Sequence, residues 1–151
     1  MRAAARLVRI ATVSQSSEEH KPEAIANPPD LTVFYDGTCP LCRAEMGVYR
    51  NCTGADRIAF VDVADAPDGV VVPGLDKADA LKRFHVRGAD GIILSGAAGF
   101  AALWLTLPRW RWVGRFLLHP AVAPVAEIAY RGFLVVRPGL QWIARRVAPQ
   151  S

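Results

Sequence analysis

The chain has 151 residues, of which 52% are hydrophobic and 21% are charged. This composition is typical of one globular domain and excludes a disordered chain. The three cysteines are too few, and odd in number, for a small secreted scaffold held by disulfides, so we expect a cytoplasmic protein. The formal net charge is +4, and residues 91–151 contribute +6 to it, because they contain seven basic residues and a single acid, Glu127.

The first 30 residues differ in composition from the rest. Residues 1–17 contain three arginines and no acid, and residues 14–30 are rich in Ser, Glu, Lys and Pro, which is a linker composition. We therefore predict a disordered or weakly ordered leader over residues 1–30, although its arginines also resemble those of an organelle transit peptide. Residues 31–107 should form the folded core, and residues 108–151 a helical extension packed on that core.

Strand and helix patterns alternate after the leader. β-branched and aromatic side chains predict a strand at residues 31–35, and a helical pattern follows from Pro40 to about Arg50. Alternation of polar and apolar residues predicts a second strand at residues 57–63. A Gly-, Pro- and Asp-rich loop then separates this strand from a short helix at residues 76–82.

A hairpin and a further helix come next. The Asp90-Gly91 step predicts a tight turn between strands at residues 84–87 and 92–94. After Gly96, an apolar stripe with helical spacing predicts a helix. The stripe comprises Phe100, Leu103, Trp104 and Leu107.

Proline and glycine punctuate the remainder of the chain. Pro108 should end the preceding helix, and two or three further helices should be separated at Pro120 and at the Pro138-Gly139 step. The predicted order is therefore β-α-β-α-β-β-α with extra C-terminal helices. This α/β order is similar to that of the thioredoxin-like fold.

Two cysteines lie at the junction between the first strand and the first helix. The spacing Cys39-Pro40-Leu41-Cys42 alone is compatible with a zinc half-site, a disulfide or a redox couple. At a helix start, Cys39 would be the N-cap and Pro40 the first helical residue, so free N–H groups and the helix dipole should lower the pKa of Cys39. We predict Cys39 to be the nucleophile and Cys42, one turn further and more buried, to resolve the mixed disulfide.

Asp36, three residues before Cys39, has two possible roles. Its carboxylate could form an Asx-type turn with Gly37 that fixes the direction of the loop. It could also be catalytic and take the proton from Cys42 during resolution. A carboxylate close to Cys39 would raise the pKa of that thiol and oppose the effect of the helix end.

The segment from Asp36 to Cys42 resembles the signature of the DCC family, named for its Asp-Cys-Cys pattern. The resemblance covers roughly residues 31–137 and implies a thiol-disulfide oxidoreductase with a thioredoxin-like fold. Such a protein needs no bound cofactor, only an external reductant or oxidant, and its partners are protein or small-molecule thiols and disulfides. Similar residues in the second half are Phe84-His85-Val86, Asp90-Gly91, Ser95-Gly96, Phe100, Leu103-Trp104 and Leu107-Pro108.

One feature of thioredoxins is missing. Thioredoxins place a cis-proline just before the third strand, facing the dithiol, where it helps to hold an extended substrate. Here residues 81–84 read Leu-Lys-Arg-Phe, without a proline. We therefore expect the surface that meets the substrate to differ from that of thioredoxins.

Two other interpretations stay open. In the first, the dithiol binds zinc together with Cys52 and a fourth ligand, for which His85 is the candidate. In the second, the chain is a redox-sensing binding module whose basic C-terminal helices dock on a membrane surface or a protein. Trp110 and Trp112, interleaved with arginines, would then form an interfacial patch. No recognised motif supports a nucleic-acid partner.

Overall fold

The computed structural model describes residues 28–147, so the predicted leader lies outside the described residues except for its last three positions. A mixed α/β core is followed by two helices. Short 3-10 helices precede β2 and α4. The elements in chain order are β1 Leu31–Tyr35, α1 Pro40–Arg50, β2 Ile58–Asp62, β3 Val70–Val72, β4 Leu75–Asp76, α2 Lys77–Lys82, β5 His85–Gly88, β6 Ile93–Ser95, α3 Gly96–Thr106, α4 Arg111–Leu117 and α5 Ala123–Val147.

The central sheet has four strands in the order β2-β1-β5-β6. β1 pairs parallel with β2, with Leu31 opposite Ile58, and α1 makes the crossover between them. β5 lies antiparallel to β1, and β6 lies antiparallel to β5. The α/β architecture predicted from the sequence is confirmed, and the predicted order β-α-β-α-β-β-α is present with two short strands, β3 and β4, added before α2.

β1 is covered on both faces, because successive residues of a strand point to opposite sides of a sheet. Val33 is fully buried in a cluster with residues of α1 and α3, including Met46 and Leu103. Phe34, the next residue, is buried in a second cluster with Leu75. The loop that follows β1, and with it the start of α1, is therefore fixed to the most deeply buried strand.

The loop predicted between the second strand and the short helix contains structure. β3 and β4 form a two-stranded antiparallel ribbon there, and Gly74 lies in its turn at φ +88°. The sequence prediction missed the ribbon because its strands have only three and two residues. The predicted hairpin is confirmed, with Gly91 at φ +82° in the turn, a backbone conformation that favours glycine.

The expected break at the Pro138-Gly139 step is wrong, because both residues lie inside α5. Proline removes one backbone donor and normally bends or ends a helix. Here the helix continues through the step, and side chains on both sides of it, Arg137 and Gln141, are held by contacts with the start of α1. Pro120 does separate α4 from α5, as predicted. Among residues 28–147 no helix combines the length and the hydropathy needed to cross a membrane.

Candidate active site

Cys39 is the N-cap of α1, as the sequence predicts. Its backbone is extended, with φ −83° and ψ 112°, and Pro40 is the first residue of the helix. The backbone N–H of Cys42 donates a hydrogen bond of 3.3 Å to Cys39 Sγ. A sulfur therefore takes the place that a capping oxygen occupies at most helix starts, close to the positive end of the helix dipole.

Two side chains from α5 reach the dithiol. Gln141 Nε2 donates to Cys39 Sγ at 3.0 Å, and Arg137 Nη2 donates to Cys42 Sγ at 3.3 Å. Arg137 and Gln141 are four residues apart and so lie on the same face of the helix. Neither side chain was predicted from the sequence, because about a hundred residues separate them from the cysteines. The only local signal is their four-residue spacing, which places them on one face of a helix.

The pKa of Cys39 is lowered. Burial opposes ionisation, but hydrogen bonds from Cys42, Gln141 and Arg137 together outweigh it. All of these donors favour the charged form of the sulfur, because each places a hydrogen against it. Cys39 has no exposed surface, whereas Cys42 is half-buried. The expectation that Cys42 would be more buried than Cys39 is therefore wrong, because Gln141, 102 residues further along the chain, covers Cys39.

Cys42 is perturbed in the opposite direction. Burial and the hydrogen bond with Cys39 raise the pKa of Cys42 to about 12, although the positive charge of Arg137 opposes the rise. The thiolate of Cys39 therefore forms more readily than that of Cys42, which keeps its proton at neutral pH. Such a separation of the two pKa values allows one sulfur to attack while the other holds a proton.

Asp36 lies in the turn before Cys39. Its Oδ1 accepts hydrogen bonds from the backbone N–H and the hydroxyl of Thr38, at 3.0 and 2.7 Å. Its Oδ2 is 3.8 Å from Arg137 Nη2. The Asx-type turn therefore involves Thr38, while the N–H of Gly37 donates to Asp62 Oδ1 at 2.9 Å. Arg137 lies between this carboxylate and the sulfur of Cys42.

A cavity of about 50 Å³ lies beside Cys42, between α1, α3 and α5. Its wall includes a second carboxylate, Glu45, one turn beyond Cys42 on α1. Burial raises the pKa of Glu45, although a hydrogen bond from Tyr49 and the charge of Arg137 oppose the rise. Glu45 was not predicted from the sequence, although its position three residues after Cys42 places both side chains on one face of α1. The remaining wall is mainly aromatic and aliphatic, including Phe84, Phe100, Tyr130, Phe133 and Leu134.

The segment before β5, where thioredoxins have their cis-proline, is bound by α5. Tyr130 accepts through its hydroxyl a hydrogen bond of 2.8 Å from the backbone N–H of Phe84, and Arg137 Nη1 donates to the carbonyl of Leu81 at 3.5 Å. Arg83 pairs with Glu127 at 2.6 Å. The described backbone contains no cis peptide bond. In this protein the backbone of the segment therefore bonds to the protein's own last helix.

The remaining sequence candidates lie apart from the dithiol contacts. Cys52 Sγ donates to the carbonyl of Val48 at 3.4 Å, and His85 is buried with Nδ1 2.9 Å from the carbonyl of Arg83. Within residues 28–147, His, Cys, Asp and Glu nowhere form a group of three that could hold a metal ion. Trp110 stacks on Trp104 and is half-buried, so of the two tryptophans in the predicted patch only Trp112 is well exposed.

Comparison with known proteins gives one match. A family model described as DCC1-like thiol-disulfide oxidoreductase covers residues 33–143. No curated protein and no solved structure matches the chain. The matched range contains both sulfurs and both α5 side chains that touch them. It confirms the resemblance stated from the sequence, and the mixed sheet and five helices agree with the thioredoxin-like fold of that family.

Proposed function

We propose, from the premise that the chain belongs to the DCC1-like thiol-disulfide oxidoreductase family, that it exchanges thiols and disulfides with Cys39 as nucleophile and Cys42 as resolving thiol. The observation that carries this proposal is the pair of donors on Cys39 Sγ, the backbone N–H of Cys42 at 3.3 Å and Gln141 Nε2 at 3.0 Å. The pKa of Cys39 is lowered by its donors against the effect of burial, and that of Cys42 is raised to about 12. The cytoplasmic location stays a prediction.

In the first step, the thiolate of Cys39 attacks one sulfur of a substrate disulfide. A bond forms between Cys39 Sγ and that sulfur, the substrate S–S bond breaks with its electron pair on the leaving sulfur, and the leaving thiolate takes a proton from solvent. Because Cys39 has no exposed surface, Gln141 has to move aside before a substrate sulfur reaches it.

In the second step, Cys42 loses its proton, attacks Cys39 Sγ and releases the second substrate thiol. The substrate gains two electrons, and Cys39 and Cys42 become a disulfide that an external thiol reductant must reduce. Once Cys39 is in the mixed disulfide it carries no charge, so one cause of the raised pKa of Cys42 is removed while Arg137 remains 3.3 Å away. Arg137 therefore favours the thiolate of Cys42 at this stage.

Two carboxylates compete for the proton of Cys42. Asp36 is the candidate from the sequence, and Arg137 contacts both its carboxylate and the sulfur of Cys42. Glu45 shares the cavity with Cys42 and has a raised pKa because it is buried. A carboxylate whose pKa is raised is well matched to take a proton near neutral pH, and Arg137 lies between Asp36 and the sulfur of Cys42. We therefore propose Glu45 as the acceptor and Asp36 as the residue that orients Arg137.

Replacement of each cysteine tests the proposal. Cys39→Ser should abolish reduction of a model disulfide, whereas Cys42→Ser should form a mixed disulfide through Cys39 that mass spectrometry detects and that does not resolve. Cys52→Ser is the matched control, since Cys52 bonds to the carbonyl of Val48, and it should keep the activity. Full turnover by the Cys39→Ser protein would show that the assignment is wrong.

A further inference from the structure

The outward face of α5 is apolar along the whole helix. Its exposed residues recur at helical spacing, so they form one stripe on the side opposite Arg137 and Gln141. A helix of 25 residues makes this stripe roughly 35 Å long. Monomeric soluble proteins rarely expose a continuous apolar surface of this extent. The stripe, called here the α5 outer stripe, comprises Val125 (64% exposed), Ile128 (69%), Val135 (81%), Val136 (54%), Leu140 (40%), Ile143 (51%) and Val147 (76%).

Aromatic and basic side chains lie beside the α5 outer stripe and on α4. Trp142 is 56% exposed, and the guanidinium of Arg146 lies 3.9 Å from the centre of its ring. Trp112 on α4 is 71% exposed. Indole rings and stacked guanidinium groups are typical of the boundary between lipid tails and headgroups. Exposed arginines on these two helices and the turn before them are Arg109, Arg111, Arg115, Arg131, Arg145 and Arg146.

The positive charge of this surface favours a lipid surface over a second copy of the chain as the partner of the α5 outer stripe. Glu127 is the only acid in residues 91–151, and it already pairs with Arg83 and Arg131. Two copies joined through their α5 outer stripes would bring arginines against arginines with no acid to compensate them, which opposes association. An anionic lipid surface offers both an apolar layer for the stripe and negative charge for the arginines.

We propose that α5 docks on an anionic membrane surface, lying in the plane of the headgroups with the α5 outer stripe in the lipid. The helix does not need to span the bilayer for this, because an in-plane helix buries only one face. Its opposite face carries Arg137 and Gln141, which touch the dithiol. Docking would therefore hold Cys39 within about one helix diameter, roughly 10 Å, of the lipid.

Vesicle binding tests the docking surface without reference to catalysis. The full chain should float with vesicles of phosphatidylcholine mixed with phosphatidylglycerol, and bind pure phosphatidylcholine much more weakly. Val135→Glu and Ile143→Glu should each weaken binding at least about tenfold, because each places a charge in the lipid. Ile92→Glu is the matched control, since Ile92 is equally exposed at 58% but lies in the hairpin turn; it should bind as the wild type does.

The electrostatic contribution is measured with Arg146→Ala, since Arg146 lies one turn after Ile143 at the edge of the stripe. A basic side chain close to an anionic surface strengthens binding about fivefold, so this variant should bind about fivefold more weakly, and added salt should reduce the difference. Sedimentation should show a monomer in solution. A dimer that Val135→Glu dissociates, absence of vesicle binding, or equal loss in the Ile92→Glu control would each overturn the proposal.

Discussion

Gln141 donates to Cys39 and Arg137 donates to Cys42 with a further contribution at Cys39, and the two side chains have their main effects at different stages of the proposed reaction. The hydrogen bond from Gln141 favours the charged form of Cys39 before attack. The charge of Arg137 opposes the raised pKa of Cys42 and becomes more effective once Cys39 is bonded to substrate. Because the amide of Gln141 contacts only Cys39, a substitution at Gln141 removes its effect on the pKa of Cys39 and leaves the N-cap position of Cys39 unchanged.

Gln141→Ala should raise the pKa of Cys39, because it removes a hydrogen bond that favours the charged form of the sulfur. The pH dependence of iodoacetamide alkylation gives this pKa in a protein with Cys42→Ser and Cys52→Ala, where Cys39 is the only thiol. Arg145→Ala is the control, since it removes a charge from the same helix without touching a sulfur. A midpoint that Gln141→Ala leaves unchanged would contradict the role given to the amide.

Glu45→Gln should slow the resolving step about a hundredfold, because Cys42 then loses its proton acceptor in the cavity. Stopped-flow measurement of the lifetime of the mixed disulfide isolates this step from the first attack. Asp36→Asn should have a smaller effect, since the carboxylate of Asp36 bonds to Thr38 and faces Arg137. If Asp36→Asn slows resolution more than Glu45→Gln, then Asp36 is the acceptor, as the sequence suggested.

At the scale of single elements, α5 is held on the core by the region around Glu127. Its carboxylate accepts from Arg83 and from the backbone N–H of Ala97, at the start of α3. Tyr130, one turn further, accepts from the backbone of Phe84. These contacts lie on the N-terminal side of Pro138. Arg137 and Gln141, which cover the dithiol, lie just before and just after this proline. Loss of the anchoring contacts should therefore loosen these two side chains from the dithiol.

Glu127→Ala should increase the reaction of Cys39 with a bulky maleimide by several-fold relative to its reaction with iodoacetamide, because the cover opens more often. The expected factor is about fivefold to tenfold, corresponding to about 1–1.5 kcal/mol for a charge-assisted contact that is partly exposed. Arg131→Ala is the control, since this arginine is 69% exposed and pairs with the same carboxylate. Equal ratios for Glu127→Ala and the wild type would show that the anchor does not govern access.

The parts of the site that could be predicted from sequence are those set by local structure. A strand followed by Pro40 at the first helical position placed Cys39 at the N-cap, and the structure has it there. The apolar stripe that includes Leu103 likewise predicted a helix after Gly96, and the structure has α3 there with Leu103 fully buried. In each case neighbouring residues in the chain decide the outcome, so the sequence contains the necessary information.

The parts that could not be predicted depend on contacts between distant segments. The cover over Cys39 comes from Gln141, and the helix that carries Gln141 continues through Pro138, where local preference predicts a break. Tertiary contacts on both sides of the proline override that preference. The relative burial of Cys39 and Cys42 was predicted wrongly for the same reason, since the position of α5 has no signal in residues 36–42.

For the whole molecule, the two thiols make stability depend on pH in opposite directions. A lowered pKa at Cys39 stabilises the fold above the pKa of an unfolded thiol, about 8.5, and this contribution is then complete. The raised pKa of Cys42, about 12, gives a contribution to stability that is complete below the pKa of the unfolded thiol. This contribution is lost as the pH rises from about 8.5 towards 12, because the unfolded chain releases a proton that the folded chain retains. Of the two thiols, only Cys42 contributes a change in stability between about pH 9 and pH 11.

Cys42→Ser should therefore reduce the loss of stability at alkaline pH. Between about pH 8 and pH 10.5 the free energy of unfolding of the reduced wild type should fall by about 2 kcal/mol more than that of the variant, a value reduced from the full linkage because Cys42 is only half-buried. Urea unfolding at the two pH values measures the difference, and Tyr49, whose pKa burial also raises, contributes equally to both proteins. Parallel losses in the two proteins would mean that Cys42 ionises in the folded chain as readily as in the unfolded one, and the resolving thiol would then lack the protonated state that the proposed sequence of steps requires.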